Sequence, residues 1–165
     1  MTGKLVALFL AFAALLAGAG MYYLQVHAFY ERLEPRSSIV AILPDGGTAR
    51  LAVSAFEGID SDSSPLRMRA CVTLEDPAPE LPLHPQPTPL NAPRWFSCFD
   101  AAAIAADLAT GRARPHLVEG NFAFGFDRVM ALYPDGRAFL WQQMNACGEA
   151  HFDGQPLPPG CPPAP

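Results

Sequence analysis

The chain has 165 residues, 50% of them hydrophobic, and a formal net charge of −5, with 4 cysteines and 18 prolines. After position 30 there are 10 arginines against 16 acids, and Lys4 is the only lysine, so no basic stripe exists for nucleic acid or for an anionic membrane surface. The 141 residues that follow the first hydrophobic run are enough for one modest domain, with a core that is adequate but helped by covalent staples.

That run, Leu5 to Leu24, carries no charged side chain over 20 positions. At about 1.5 Å of helix rise per residue it reaches roughly 30 Å, the thickness of a bilayer's hydrocarbon core. Two readings compete. Lys4, the apolar block Leu5 to Leu16 and the small-x-small triplet Ala17-Gly18-Ala19 fit a cleaved signal peptide, which would leave a secreted protein. Apolar character nevertheless continues through Met21, Tyr22, Tyr23, Leu24 and Val26, and tyrosines favour the membrane interface, which supports an uncleaved anchor over residues 1–26. Ala14 and Gly18 have the small-xxx-small spacing of packed spans, a spacing that alanine-rich runs reach by chance.

Charge does not orient the span, because Lys4 and the amino terminus face Arg32 and Arg36 across it. The cysteines do. Cys71, Cys98, Cys147 and Cys161 all follow the span, and an even number in a small exported domain reads as two disulfides kept by an oxidising compartment. The expectation is an inner-membrane single-pass protein, N-terminus cytoplasmic and C-terminal domain periplasmic, whose bilayer contact is residues 5–24. Four cysteines allow three connectivities; locality favours Cys71 with Cys98 and Cys147 with Cys161.

Residues 27–37 read as a juxtamembrane neck that continues the helix for a turn or two before Pro35 ends it. Residues 38–165 read as an α+β domain with an antiparallel sheet of hairpins and one short helix. Ile39 to Leu43, Pro44-Asp45-Gly46-Gly47 and Ala49 to Phe56 form a hairpin signal, repeated at Val129 to Tyr133, Pro134-Asp135-Gly136-Arg137 and Ala138 to Met144. Proline sets φ, aspartate bonds to the local backbone and glycine takes positive φ. Asp60-Ser61-Asp62-Ser63-Ser64-Pro65 has the opening spacing of a calcium loop but places Pro65 and Cys71 where glycine and glutamate belong, so it reads as a surface turn.

Leu66 to Leu74 alternates as a strand, with Arg67, Arg69, Cys71 and Thr73 on one face. Arg67 and Arg69 beside Asp60 and Asp62 form either a solvated, ion-paired face or a site for an acidic partner. Residues 75–94 hold seven prolines and read as an extended loop that Cys71–Cys98 would pin. Beside that loop lie Trp95 and Phe96, a second candidate contact pair. Asp100 fits the N-cap of a helix from Ala101 to Thr110 that Gly111 stops. From His116 the chain is extended; Gly120-Asn121 reads as a turn, Phe122, Phe124 and Phe126 as one strand face, and Gly125 as a bulge.

No chemistry emerges from the motifs. His27, His84, His116 and His151 lack metal-pair spacing, and there is no Cys-x-x-Cys, Gly-x-Ser-x-Gly or phosphate loop. Ser63, His116 and Asp127 form a triple with no local signature behind it. No catalytic residue, cofactor site or metal site is assigned. The pieces MYYLQVHAFYE, DSDSSPLRMRACVTL, APRWFSCFDAAAI, FDRVMALYPDGRAFLWQQMNACGE and FDGQPLPPGCPPAP resemble a family of uncharacterised single-pass membrane proteins of alphaproteobacteria. That resemblance covers nearly the whole chain and implies no activity; the length leaves no room for a kinase core. The expected role is a membrane-anchored accessory protein acting on other membrane or envelope proteins, with a small-ligand-binding module or periplasmic enzyme as the rival.

Overall fold

The apolar run forms helix α1, Gly3–Tyr23, followed by one π-helical turn, Leu24–Ala28, in a computed structural model that describes residues 3–165. The helix is uncharged after Lys4, none of its side chains is buried, and by length and composition it can cross a membrane. The chain divides into two compact units, the first ending at Tyr30 and the second spanning Glu31–Pro165.

The neck does not stay helical. Helical backbone stops at Ala28, and Glu31–Arg32 forms a short strand, β1, antiparallel to the end of β3, with Glu31 opposite Asp60 and Arg32 opposite Ile59. Leu33 N donates to Gly58 O at 2.8 Å. An open sheet edge offers these amides partners that a helix approaching Pro35 could not supply.

The remaining strands are β2 (Ser38–Ile42), β3 (Thr48–Asp60), β4 (Arg69–Leu74), β5 (Arg114–Ala123), β6 (Phe126–Leu132) and β7 (Arg137–Met144). They form a seven-stranded antiparallel sheet ordered β1-β3-β4-β7-β6-β5, with β2 paired to the first half of β3. Both Pro-Asp-Gly turns join hairpins as their chemistry dictates. Asp45 Oδ1 accepts from Gly47 N and Asp135 Oδ1 from Arg137 N, while Gly46 and Gly136 take positive φ. The register of β3 slips between Ser54 and Glu57, where Ala55 has φ 50°; a bulge there bends the strand and carries β2 round towards β5. The sheet thereby curls around a core of Ile39, Leu51, Met68, Val72, Met130 and Leu140.

The opposite face is covered as well. Asp100 Oδ1 caps α2 (Ala101–Ala109) by accepting from Ala102 N and Ala103 N at 3.0 Å, and Ile104 buries against the sheet. Phe99 meets Phe139 edge-on at 6.1 Å, and Tyr133 Oη donates to Asp107 Oδ2 at 2.7 Å. Burial and that bond push the Tyr133 phenol up to about 12. A second domain helix, α3 (Ala146–Phe152), was not expected from the sequence; Asn145 caps it by accepting from Cys147 N and Gly148 N. The disulfides are Cys71–Cys98 and Cys147–Cys161, the local pairings.

Two sequence expectations in β5 and β6 are corrected. Gly120-Asn121 lies within β5 at a register shift, where Asn121 has φ 48°. Gly125 is a hairpin turn with φ 81°, so Phe122, Phe124 and Phe126 do not share a strand. Gly125 also meets Gly148 backbone to backbone, so a Cβ on either would collide with the other.

Candidate functional site

Residues 75–94 form a strap rather than a free loop. Pro85, Pro87 and Pro89 lack amide donors, so the N–H groups between them belong to Gln86 and Thr88, and His84 supplies the one before Pro85. All three are bonded. His84 N donates to Pro115 O at 3.1 Å, Gln86 N to His84 Nδ1 at 3.3 Å, and Thr88 N to Gln143 Oε1 at 2.7 Å. Leu83 bridges to His116, and Leu117 N donates to Pro82 O at 2.8 Å, so the strap covers the edge of β5 before crossing the outer face.

Buried polar side chains hold it there. Gln143 Oε1 also accepts from Trp141 Nε1 at 2.9 Å, and Gln143 Nε2 donates to Gln86 O at 2.9 Å. Because His84 Nδ1 accepts a bond, its proton sits on Nε2, 3.4 Å from Asp127 Oδ2. Asp127 Oδ1 accepts from Asn121 N at 2.9 Å and Asn145 Nδ2 at 2.7 Å. Burial works to raise the Asp127 carboxyl, but the bonds from His84, Asn121 and Asn145 outweigh it and hold it below the ordinary range. His116 Nδ1–H donates to Leu81 O at 3.2 Å, and burial pushes the imidazole pKa down.

The sequence-derived contact residues separate on this framework. Arg69 is corrected from a partner-facing or solvated side chain to an internal one, only 3% exposed under the strap. Its Nε donates to Leu90 O at 2.7 Å and its terminal nitrogens to Leu66 O, Met68 O and Asn91 O, because the strap carbonyls offer acceptors where the surface turn was expected to supply carboxylates. Phe96 is likewise corrected: it is 2% exposed and belongs to the core. Trp95 is half-buried, edge-on to Phe96 at 6.3 Å with the Arg32 guanidinium 5.5 Å above its ring. Asp62 is exposed, Arg67 half-buried and Asp60 half-buried. Ser61 N donates to Asp60 Oδ1 at 2.8 Å, yet burial leaves the Asp60 carboxyl raised.

A second arrangement was invisible in the sequence. Between β2 and β5 the curled sheet leaves a cleft of about 430 Å³ with Ile39, Met68, Val118 and Leu140 on its floor. Arg36, Arg50 and Arg128 stand at its mouth with Asp60 and Glu119. Arg128 donates to Glu119 Oε2 at 2.5 Å and lies 4.9 Å over Phe122, while its buried Nε has no acceptor. An orphaned buried donor costs about 1–3 kcal/mol. These residues come from five strands, the neck and the position before β4, so no local spacing links them.

The surface turn at 60–65 is held by its own serines, with Ser61 Oγ and Ser63 Oγ 2.8 Å apart, and the described residues contain no cluster of three metal-ligating side chains. Ser63, His116 and Asp127 do not form a triad: Asp127 is bonded to His84, and His116 to the Leu81 carbonyl.

A model of a family of unknown function, DUF6446, matches residues 39–162, which run from β2 to the last disulfide. No curated protein matches the chain. Nor does any solved structure. The matched span holds all four cysteines, the strap and most of the cleft, and the chain belongs to the family of unknown function DUF6446.

Proposed function

We propose that the chain is a membrane-anchored accessory protein of the cell envelope. In this reading α1 is an uncleaved signal-anchor in the inner membrane, the amino terminus is cytoplasmic, and the domain is periplasmic and works through contacts with other envelope or membrane proteins. The observation that carries it is one apolar helix, uncharged after Lys4, joined to a domain stapled by two disulfides. Oxidising compartments preserve such bonds, and only a bilayer or a partner offers cover to a helix with no buried side chain.

The absence of catalysis in this reading is supported by the commitment of the buried polar groups. His84, Asp127, Gln143 and Arg69 each direct their bonds to the strap or the sheet, which leaves them poorly placed as nucleophile or base. The contact surface is assigned to Asp62, Arg67 and Trp95, the sequence-derived residues that stay at least partly exposed, with half-buried Asp60 beside them.

Crosslinking in native membranes, followed by identification of neighbours, tests the role. A reproducible partner whose capture falls with Arg67→Glu or Trp95→Ala, at unchanged melting temperature, supports it; capture indifferent to both substitutions contradicts the assigned surface. The mass of the mature amino terminus separates an anchor from a cleaved, secreted form. A second reading, a small-ligand-binding module, is favoured by the cleft, whose volume lies within the usual range for ligand sites.

A further inference from the structure

The cleft between β2 and β5 joins three features that an ordinary surface groove lacks together. Its floor is the apolar inner face of the sheet, where Met68, Val118 and Leu140 are otherwise buried. Its mouth carries Arg36, Arg50 and Arg128 against Asp60 and Glu119. Neither Arg36 nor Arg50 has an ion-pair partner among the described residues: the Arg36 guanidinium lies 5.9 Å from the Phe56 ring, and Arg50 donates to Ser38 Oγ at 3.1 Å. Arg128 uses one terminal nitrogen on Glu119 and keeps a buried Nε without an acceptor.

We propose that this cleft binds an acyl carboxylate, with the hydrocarbon chain on the Met68, Val118 and Leu140 floor and the carboxylate on Arg36, Arg50 and Arg128. A guanidinium presents a planar fork of donors that matches a carboxylate in bidentate geometry, and the exposed Arg36 and Arg50 bring such forks to the cleft with no carboxylate partner among the described residues. Chain burial contributes in proportion to the apolar area covered. Glu119 and Asp60 at the mouth disfavour a more highly charged phosphate head, which selects a monoanion. Anionic lipid heads share part of this chemistry, so the test separates the two. The inference rests on the cleft alone and holds whichever way the domain faces.

The experiment uses the full chain in nanodiscs of neutral phosphatidylcholine, with dodecanoate bearing a photoreactive diazirine, and maps labelled peptides by mass spectrometry. The expected result is saturable labelling of peptides from β2, β3, β5 and β6. It falls about tenfold with excess laurate and little with dodecanol, acetate or an anionic phospholipid, whereas labelling of α1, which reports partition into the bilayer, is unchanged. Arg128→Leu lowers cleft labelling about tenfold. Arg50→Glu, at an exposed position where folding is preserved, lowers it about fivefold, with both disulfides intact on a non-reducing gel. Labelling confined to α1, equal competition by dodecanol or the phospholipid, or full labelling in Arg50→Glu would overturn the proposal.

Discussion

Gln143 offers the sharpest test of how the domain holds its proline-rich strap. Its amide accepts from Trp141 Nε1 and Thr88 N and donates to Gln86 O, all at 2.7–2.9 Å. Gln143→Leu keeps the volume close but leaves all three partners unmet. Trp141 is fully buried, so its indole N–H bears the whole desolvation cost, about 1–3 kcal/mol. Gln86 and Thr88 are exposed residues that water can reach once the strap loosens, and they add about 1 kcal/mol together. The sum, about 2–4 kcal/mol, corresponds to a fall in Tm of roughly 8–15 °C for a domain of this size. Intrinsic fluorescence reads the unfolding through Trp141, and limited proteolysis reads the strap, which is expected to become cleavable between Glu75 and Arg94 before the domain unfolds. A Tm within about 2 °C of wild type, with the strap as resistant as before, would show that these bonds do not hold it.

Other perturbations address the rest of the framework. Cys71→Ser with Cys98→Ser opens a loop of 27 residues, and the chain-entropy model assigns about 3.5 kcal/mol to its closure, a loss to be read by denaturant titration. A double variant as stable as wild type would place the strap's hold wholly in its polar bonds. Gly148→Ala sets a methyl group against the Gly125 backbone and is expected to destabilise by about 1–3 kcal/mol, whereas Gly154→Ala, which meets no neighbour but has φ 68°, loses only the smaller backbone term.

Acid should weaken the domain in two stages. The folded His116 pKa lies below its ordinary 6.5, so its contribution is complete above that value and is lost as pH falls through the lower, folded pKa. Asp127, depressed from 3.8, follows the same sign at lower pH. Asp60 is raised, so its contribution is present below 3.8 and lost as pH rises through the folded value, partly opposing Asp127. His116→Gln should therefore flatten the decline in denaturation midpoint between pH 7.5 and 5; an unchanged slope would assign it elsewhere.

Local chemistry made much of this fold readable from residues alone. The Pro-Asp-Gly turns, the Asp100 cap and the cysteine spacing act within a few positions or across one loop, and each appears where that chemistry puts it. What escaped reading depends on distant partners. Glu31 and Arg32 leave the helix because the edge of β3 accepts them, and Arg69 turns inward because the strap brings the carbonyls of Leu90 and Asn91 over it. Alternation in Leu66 to Leu74 separates two faces but does not reveal that both are covered. Asn145 was a readable cap for α3, obscured by the cysteine and glycines around it. The cleft draws on β2, β3, β5 and β6 at once, and the bulge at Ala55 that brings β2 towards β5 has no sequence signature.

Thiol state in intact cells tests the membrane-anchored, exported reading most directly. Alkylation before and after reduction, with permeant and impermeant maleimides, is expected to find Cys71, Cys98, Cys147 and Cys161 unreactive until reduced, and then reachable by the impermeant reagent without lysis of the inner membrane. Four thiols that react at once, and only with the permeant reagent, would place the domain in a reducing compartment and contradict the disulfides, the orientation and the envelope role together.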